Sequence, residues 1–239
     1  MNEPRLAITV RCFAAVRELL GAAELSLEVA AGTTVDGLRQ LLAVDHPGLL
    51  RLPLAFAVNR DYARGDTVLA AGDEVAFIPP ISGGSGSGGS GESARCRFEL
   101  CAGPIDARAL EADCRTDADG AVVTFTGTTR DHNEGAAVLS LRYETYPEMA
   151  QKVMQALFED TLREFAITRA RVAHRLGEVP VGEASVVVVV SSPHRGPAFE
   201  ACRYLMDRLK HEVPIWKQEQ LRDGAGVRWI GDLPRPPAP

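Results

Sequence analysis

The chain has 239 residues, is 46% hydrophobic and 24% charged, and carries a formal net charge of −6. That length suits one large domain or two small ones, and the composition is ordinary for a soluble globular protein. The acidic balance argues against a general nucleic-acid binder, which needs a basic surface, and no apolar run approaches the ~20 residues that span a bilayer.

Residues 6–12 (LAITVRC) read as a strand. Phe13, Val16, Leu19 and Leu20 give the following stretch helical spacing up to Gly21, and residues 25–29 are strand-like again. Thr34 is placed to cap a helix whose apolar face is Val35, Leu38, Leu41 and Leu42. Strand-like segments follow at 54–58, 67–69 and 74–78, punctuated by turns at Arg64-Gly65-Asp66 and Ala71-Gly72-Asp73. The pattern predicts a small α+β roll.

Residues 83–91 are Gly and Ser only, the composition of a flexible coil, and mark a domain boundary. Beyond it, residues 121–127 (AVVTFTG) and 138–146 read as strands. Pro147 opens a helix with Met149, Val153, Leu157, Thr161, Leu162 and Phe165 near helical spacing. Strands are expected at 167–174 and 184–191, the second rich enough in valine to be buried on both faces. A helix over 193–210 carries Phe199, Cys202, Leu205, Met206 and Leu209 on one side, Pro214 ends it, and 215–221 (IWKQEQL) reads as strand. The Pro-rich end is expected to be disordered.

Five cysteines lack a zinc-like CxxC pair and no signal peptide precedes them, so they read as reduced thiols of a cytoplasmic protein with no metal site. Of 26 basic residues only Lys152, Lys210 and Lys217 are lysine. Lysine can lose its proton where arginine cannot, so these positions matter. Lys152 sits on a helix face and is expected to be solvent-exposed.

Three stretches can carry chemistry. In SSPHRGPAFEA, His194 and Arg195 fall in the first turn of a helix, where the dipole disfavours positive charge unless an anion binds there. The alternative is a surface histidine and arginine. In FTGTTRDHNEG a strand runs into a turn that presents Arg130, with His132 solvated and Asp131 and Asn133 as turn formers. In LKHEVPIWKQE, Lys210 and Lys217 face one pocket if the turn at Pro214 folds back, and each then lowers the other's pKa. Otherwise Lys210 complements a helix C-terminus.

Residues 1–84, with GTTVDGLRQLL and the GDEVAFIPPISGG ending, resemble the small subunit of molybdopterin synthase, a ubiquitin-like β-grasp sulfur carrier. Residues 96–231, with FTGTTRDHN, YETYPEMA, HRLGEVPVGEASVVVVVSSPHRGPAFEA and LKHEVPIWKQE, resemble the large subunit, an α/β hammerhead domain. The linker is then 85–95 and the tail 232–239. The resemblance implies an α+β protein in which a terminal glycine thiocarboxylate gives sulfur to cyclic pyranopterin monophosphate (precursor Z), two transfers making the dithiolene of molybdopterin. It implies an adenylyltransferase of the ubiquitin-activating kind and a sulfur donor as partners, and a homodimer through the larger domain. No bound cofactor is expected; the sulfur is carried on Gly84.

On this sequence the resemblance makes Gly84 the sulfur-bearing residue, with Gly83 supplying clearance. Thr128, Thr129 and Arg130 match the substrate-contacting turn, and His194 and Arg195 match an anion-binding helix start that serves the neighbouring subunit. Lys210 and Lys217 match the functional lysines, sharing charge stabilisation and proton transfer, with Gln218 and Glu219 beside the second. The departure is the fusion: Gly84 is bonded to Ser85 and has no free carboxylate. Cleavage behind Gly84 is therefore expected. Other readings are a non-catalytic carrier or scaffold, and a sulfur carrier for a different acceptor.

Overall fold

A computed structural model describes residues 4–79, 95–222 and 226–231. Gly83, Gly84, the Gly/Ser run and the 232–239 tail lie outside the described residues.

The N-terminal domain runs β1 (Arg5–Cys12), α1 (Ala14–Leu20), β2 (Glu24–Ala30), α2 (Val35–Ala43), a 3-10 turn at Pro47–Leu50, β3 (Ala55–Val58), β4 (Asp61–Ala63) and β5 (Glu74–Ile78). Its sheet has the order β2-β1-β5-β3-β4, with β1 and β5 parallel and the other pairs antiparallel. Alternation along β1 sends Ile8, Val10 and Cys12 inward. The Thr34 hydroxyl caps α2 by accepting from the Gly37 amide at 3.1 Å. Val35 and Leu38 of α2 reach the core, but Leu41 is 52% exposed, because the helix meets the sheet through a narrower stripe than the sequence suggested. The expected strand at 67–69 is reduced to a single bridge from Thr34 to Val68.

The larger domain runs β6 (Cys96–Cys101), α3 (Ala107–Cys114), β7 (Ala121–Thr128), β8 (His132–Asn133), β9 (Ala136–Thr145), α4 (Pro147–Glu164), β10 (Arg169–Arg175), β11 (Gly177–Pro180), β12 (Ala184–Ser192), α5 (Arg195–Glu212), β13 (Ile215–Leu221) and β14 (Val227–Ile230). It has two sheets, β6-β10-β12-β7 and β11-β9-β13-β14, and β8 pairs with β9. β12 is buried on both faces, as its valines require. Val187 and Val189 pack with Leu110 and Cys114 of α3, while Val186, Val188 and Val190 join the large cluster of α4 and α5. Each valine so buried contributes roughly 1.5–3 kcal/mol. Phe199, expected on the apolar side of α5, is instead exposed; Ala198 and Ala201 take the inner face.

The two domains share a core. Phe13, Ala57, Ala76 and Ile78 of the first belong to the same apolar cluster as Tyr146, Met149 and Trp216 of the second. The Phe13 ring stacks on Tyr146 at 4.8 Å and on Trp216 at 4.9 Å. Around this centre Arg17 pairs with Glu144 at 2.7 Å, and the Tyr62 hydroxyl donates to the Glu212 carbonyl at 3.3 Å. Lys152 pairs with Asp61 across the seam, so it is a docking residue and not the free surface lysine expected from its helical position.

Candidate active site

β13 is a strand with two assignments. Period-two alternation turns Ile215, Lys217 and Glu219 toward a cavity of about 410 Å³. Trp216 and Gln218 face the other way, toward the N-terminal domain: the Trp216 indole donates to the Pro79 carbonyl at 3.0 Å, and the Gln218 amide donates to Glu18 at 3.4 Å. Pro79 is the last described residue of that domain, so its chain leaves against the back of the strand that carries Lys217.

The cavity is walled by Phe125, Gly127 and Thr128 of β7, by Arg130, His132 and Asn133 of the following hairpin, by Tyr143, His174 and Ser185, and by Lys210 from the last turn of α5. Gly127 is demanded by packing: a Cβ there would stand 2.7 Å from Val186 Cγ1. The hairpin closes at Glu134-Gly135, both at positive φ, 49° and 81°. Asn133 is therefore a strand residue and not a turn former. Its amide donates to Glu219 at 2.8 Å and its side-chain oxygen accepts from Arg130 at 3.4 Å.

Three cations, Arg130, Lys210 and Lys217, thus line one cavity with a single buried carboxylate, Glu219, whose side chain is 2% exposed. Glu219 is held by Asn133 and by Arg228 at 2.8 Å. Burial holds the Lys217 ammonium below the usual lysine value; Glu219 opposes this, and Lys210, Arg130 and Arg228 add to the depression. Three cations beside one carboxylate favour an anion in the cavity.

His174 forms part of the same wall. Burial pulls its pKa down to about 4, so it is neutral near pH 7. Nδ1 is 2.9 Å from the Arg175 carbonyl, which can only accept, so Nδ1 carries the proton and Nε2 is a bare acceptor. The Tyr143 ring meets it edge-on at 4.8 Å.

The structure does not bring every expected residue to the cavity. Thr128 lines it, but Thr129 is buried behind it, its backbone bonded to Gly182 and Glu183. Gln218 is a docking residue, because strand alternation points it away from Lys217. His194 and Arg195 lie at the opposite end of α5 from Lys210, fifteen residues and about 22 Å away, and are exposed. Gly84 is outside the described residues. Sequence reasoning missed Asn133, His174 and Arg228. The strand alternation of IWKQEQL was the available signal that would have separated Gln218 from Lys217. The five cysteines are free, and burial pushes the thiols of Cys12, Cys96 and Cys202 up to about 11, so these three are not thiolates at neutral pH. Among the described residues no cluster of His, Cys, Asp and Glu is arranged to hold a metal, and no helix is long and apolar enough to cross a membrane.

A small α+β domain docked on a larger one, with a cavity lined by three cations under the docking strand, defines a two-module protein. Residues 10–84 match the ThiS family, which gives the first domain its β-grasp class, and residues 100–212 match the family described as MoaE protein. The molybdopterin synthase catalytic subunit of Oryza sativa subsp. indica is 48% identical over 122 residues, covering 51% of this chain and 63% of the rice protein. That of Thermoplasma volcanium is 48% identical over 112 residues, covering 47% of this chain and 81% of its relative. The crystal structure of molybdopterin synthase from Staphylococcus aureus superposes with a TM-score of 0.53 at 32% identity, covering 59% of this chain and 99% of that one. The chain belongs to the MoaE family of molybdopterin synthase catalytic subunits, with a ThiS-family domain ahead of it in the same polypeptide.

Proposed function

We propose that the chain is a molybdopterin synthase with its sulfur carrier and its catalytic domain in one polypeptide, acting in molybdenum cofactor biosynthesis in the cytoplasm. The carrier glycine is Gly84, charged as a thiocarboxylate by an adenylyltransferase and a sulfur donor after the chain is cut behind it. The acceptor is precursor Z, a cyclic phosphate. The observation that carries this reading is the convergence of Arg130, Lys210 and Lys217 on one cavity, along a strand whose other face holds Pro79. Gly84 is five residues beyond Pro79, a reach of at most about 18 Å.

In this reading Arg130 and Lys210 bind the phosphate, and Lys217 stabilises charge and moves a proton as the thiocarboxylate sulfur attacks the pterin side chain. Glu219 keeps the pocket from being purely cationic. The raised thiol pKa values of Cys12, Cys96 and Cys202 favour carriage on Gly84 over carriage on these cysteines. His194, Arg195 and Phe199 are exposed in a single chain, which fits their service to a second copy across a homodimer.

The test is the intact mass of protein co-expressed with the activating partners, followed by incubation with precursor Z. A fragment ending at Gly84 with one oxygen replaced by sulfur, and conversion of precursor Z to the dithiolene, are expected. Conversion by a chain whose mass proves it uncut would overturn the processing step, and unchanged conversion of precursor Z by Lys217→Ala would overturn the role given to Lys217.

A further inference from the structure

β14 is the outer strand of its sheet among the described residues, paired only to β13. An edge strand held on one side is easily displaced, so whatever else grips it decides its position. Two of its side chains, Trp229 and Arg228, are held by carboxylates from opposite faces. On the docking face the Trp229 indole donates to Glu18 at 3.1 Å, and Gln218, directly across the ladder from Trp229, donates to the same carboxylate oxygen at 3.4 Å. Glu18 belongs to α1 of the N-terminal domain. On the cavity face Arg228, paired across the ladder with Glu219, donates to that carboxylate at 2.8 Å and to the Asn133 carbonyl at 3.3 Å. Asn133 in turn joins Glu219 and Arg130.

We propose that Glu18 is a positioning residue: by clasping Trp229 and Gln218 it fixes β14 when the N-terminal domain docks, and through Arg228 it sets Glu219 and the hairpin that carries Arg130. The cavity is then assembled only when the carrier domain is seated. One carboxylate bridges two adjacent strands, so it acts on their mutual register and not merely on adhesion between domains. Arg17, one residue earlier, makes the contrasting contact: its ion-pair partner Glu144 lies on β9.

The experiment is amide hydrogen exchange on the full chain, comparing Glu18→Ala, Glu18→Gln and Trp229→Phe with Arg17→Ala as the docking control. Glu18→Ala and Trp229→Phe should speed exchange at 227–230 and 130–135 by roughly tenfold, the size of one lost charge-assisted hydrogen bond. Glu18→Gln, which keeps a carbonyl acceptor, should restore most of the protection, and Arg17→Ala should leave both segments as in the wild type. Unchanged exchange in Glu18→Ala overturns the proposal, as does the same pattern in Arg17→Ala, which would assign the effect to docking as a whole. The activity arm rests on the synthase reading: Glu18→Ala should lower kcat with little change in KM for precursor Z. Wild-type protein that is cut behind Gly84 and charged with sulfur, yet inactive toward precursor Z, sinks that reading, while the exchange data on the full chain still decide the clasp.

Discussion

The two faces of β13 show how one heptapeptide, IWKQEQL, serves two purposes. Its odd-numbered residues from Ile215 to Glu219 line a cavity that gathers three cations among apolar side chains; Trp216 and Gln218 hold a neighbouring domain. The first face carries two charges, Lys217 and Glu219, that are costly to bury; the second holds its neighbour through the buried Trp216 indole and a Gln218 hydrogen bond. Activity and docking therefore separate by residue parity, and substitutions on the two faces should fail in different ways.

The largest effect is expected on the docking side. Phe13→Ala removes a ring stacked between Tyr146 and Trp216 and should weaken docking by about 3–5 kcal/mol, read as two separated calorimetric transitions and a larger radius of gyration in solution scattering. A single unchanged transition would mean that the shared core contributes little. On the cavity side, Lys217→Ala should lower turnover by about 10²–10³-fold while scattering and melting stay as in the wild type. If Lys217→Ala also undocked the domains, the separation of the faces would be wrong.

A smaller and pH-dependent effect follows from His174. Its folded pKa of about 4 lies below the ordinary 6.5, so the unfolded chain binds the extra proton first as pH falls. Stability should drop between about 6.5 and 4, by roughly 3 kcal/mol in all, and level off below. Imidazole resonances of His174 that titrate near 6.5 by NMR would contradict this. The smallest effect belongs to Gln218→Ala, whose 3.4 Å bond to Glu18 is worth about 0.5–1.5 kcal/mol in docking and should leave KM unaltered.

Much of this comparison was legible in the sequence, for definite reasons. The rarity of lysine singled out Lys210 and Lys217, and the run of valines foretold a doubly buried β12. Helical spacing identified Phe13 as apolar, but spacing cannot say which core receives a side chain, and Phe13 goes to the other domain while Val16 and Leu20 stay in their own. Gln218 was grouped with Lys217 because it is adjacent in sequence, although adjacency in a strand means opposite faces. β14 is short, and its role arises from Glu18, about two hundred positions away; no local pattern encodes such a contact. His194 and Arg195 kept their exposed helix start but not a place in the cavity of their own chain.

Because the seam joins two parts of one polypeptide, its occupancy is independent of dilution. A tether of this length gives the docked partner an effective concentration on the order of millimolar, so no excess of either half can arise from unequal synthesis. A cut behind Gly84 would change that dependence without altering a contact. The seam would become a bimolecular equilibrium, and a carrier released for recharging could be exchanged between catalytic domains throughout the cell.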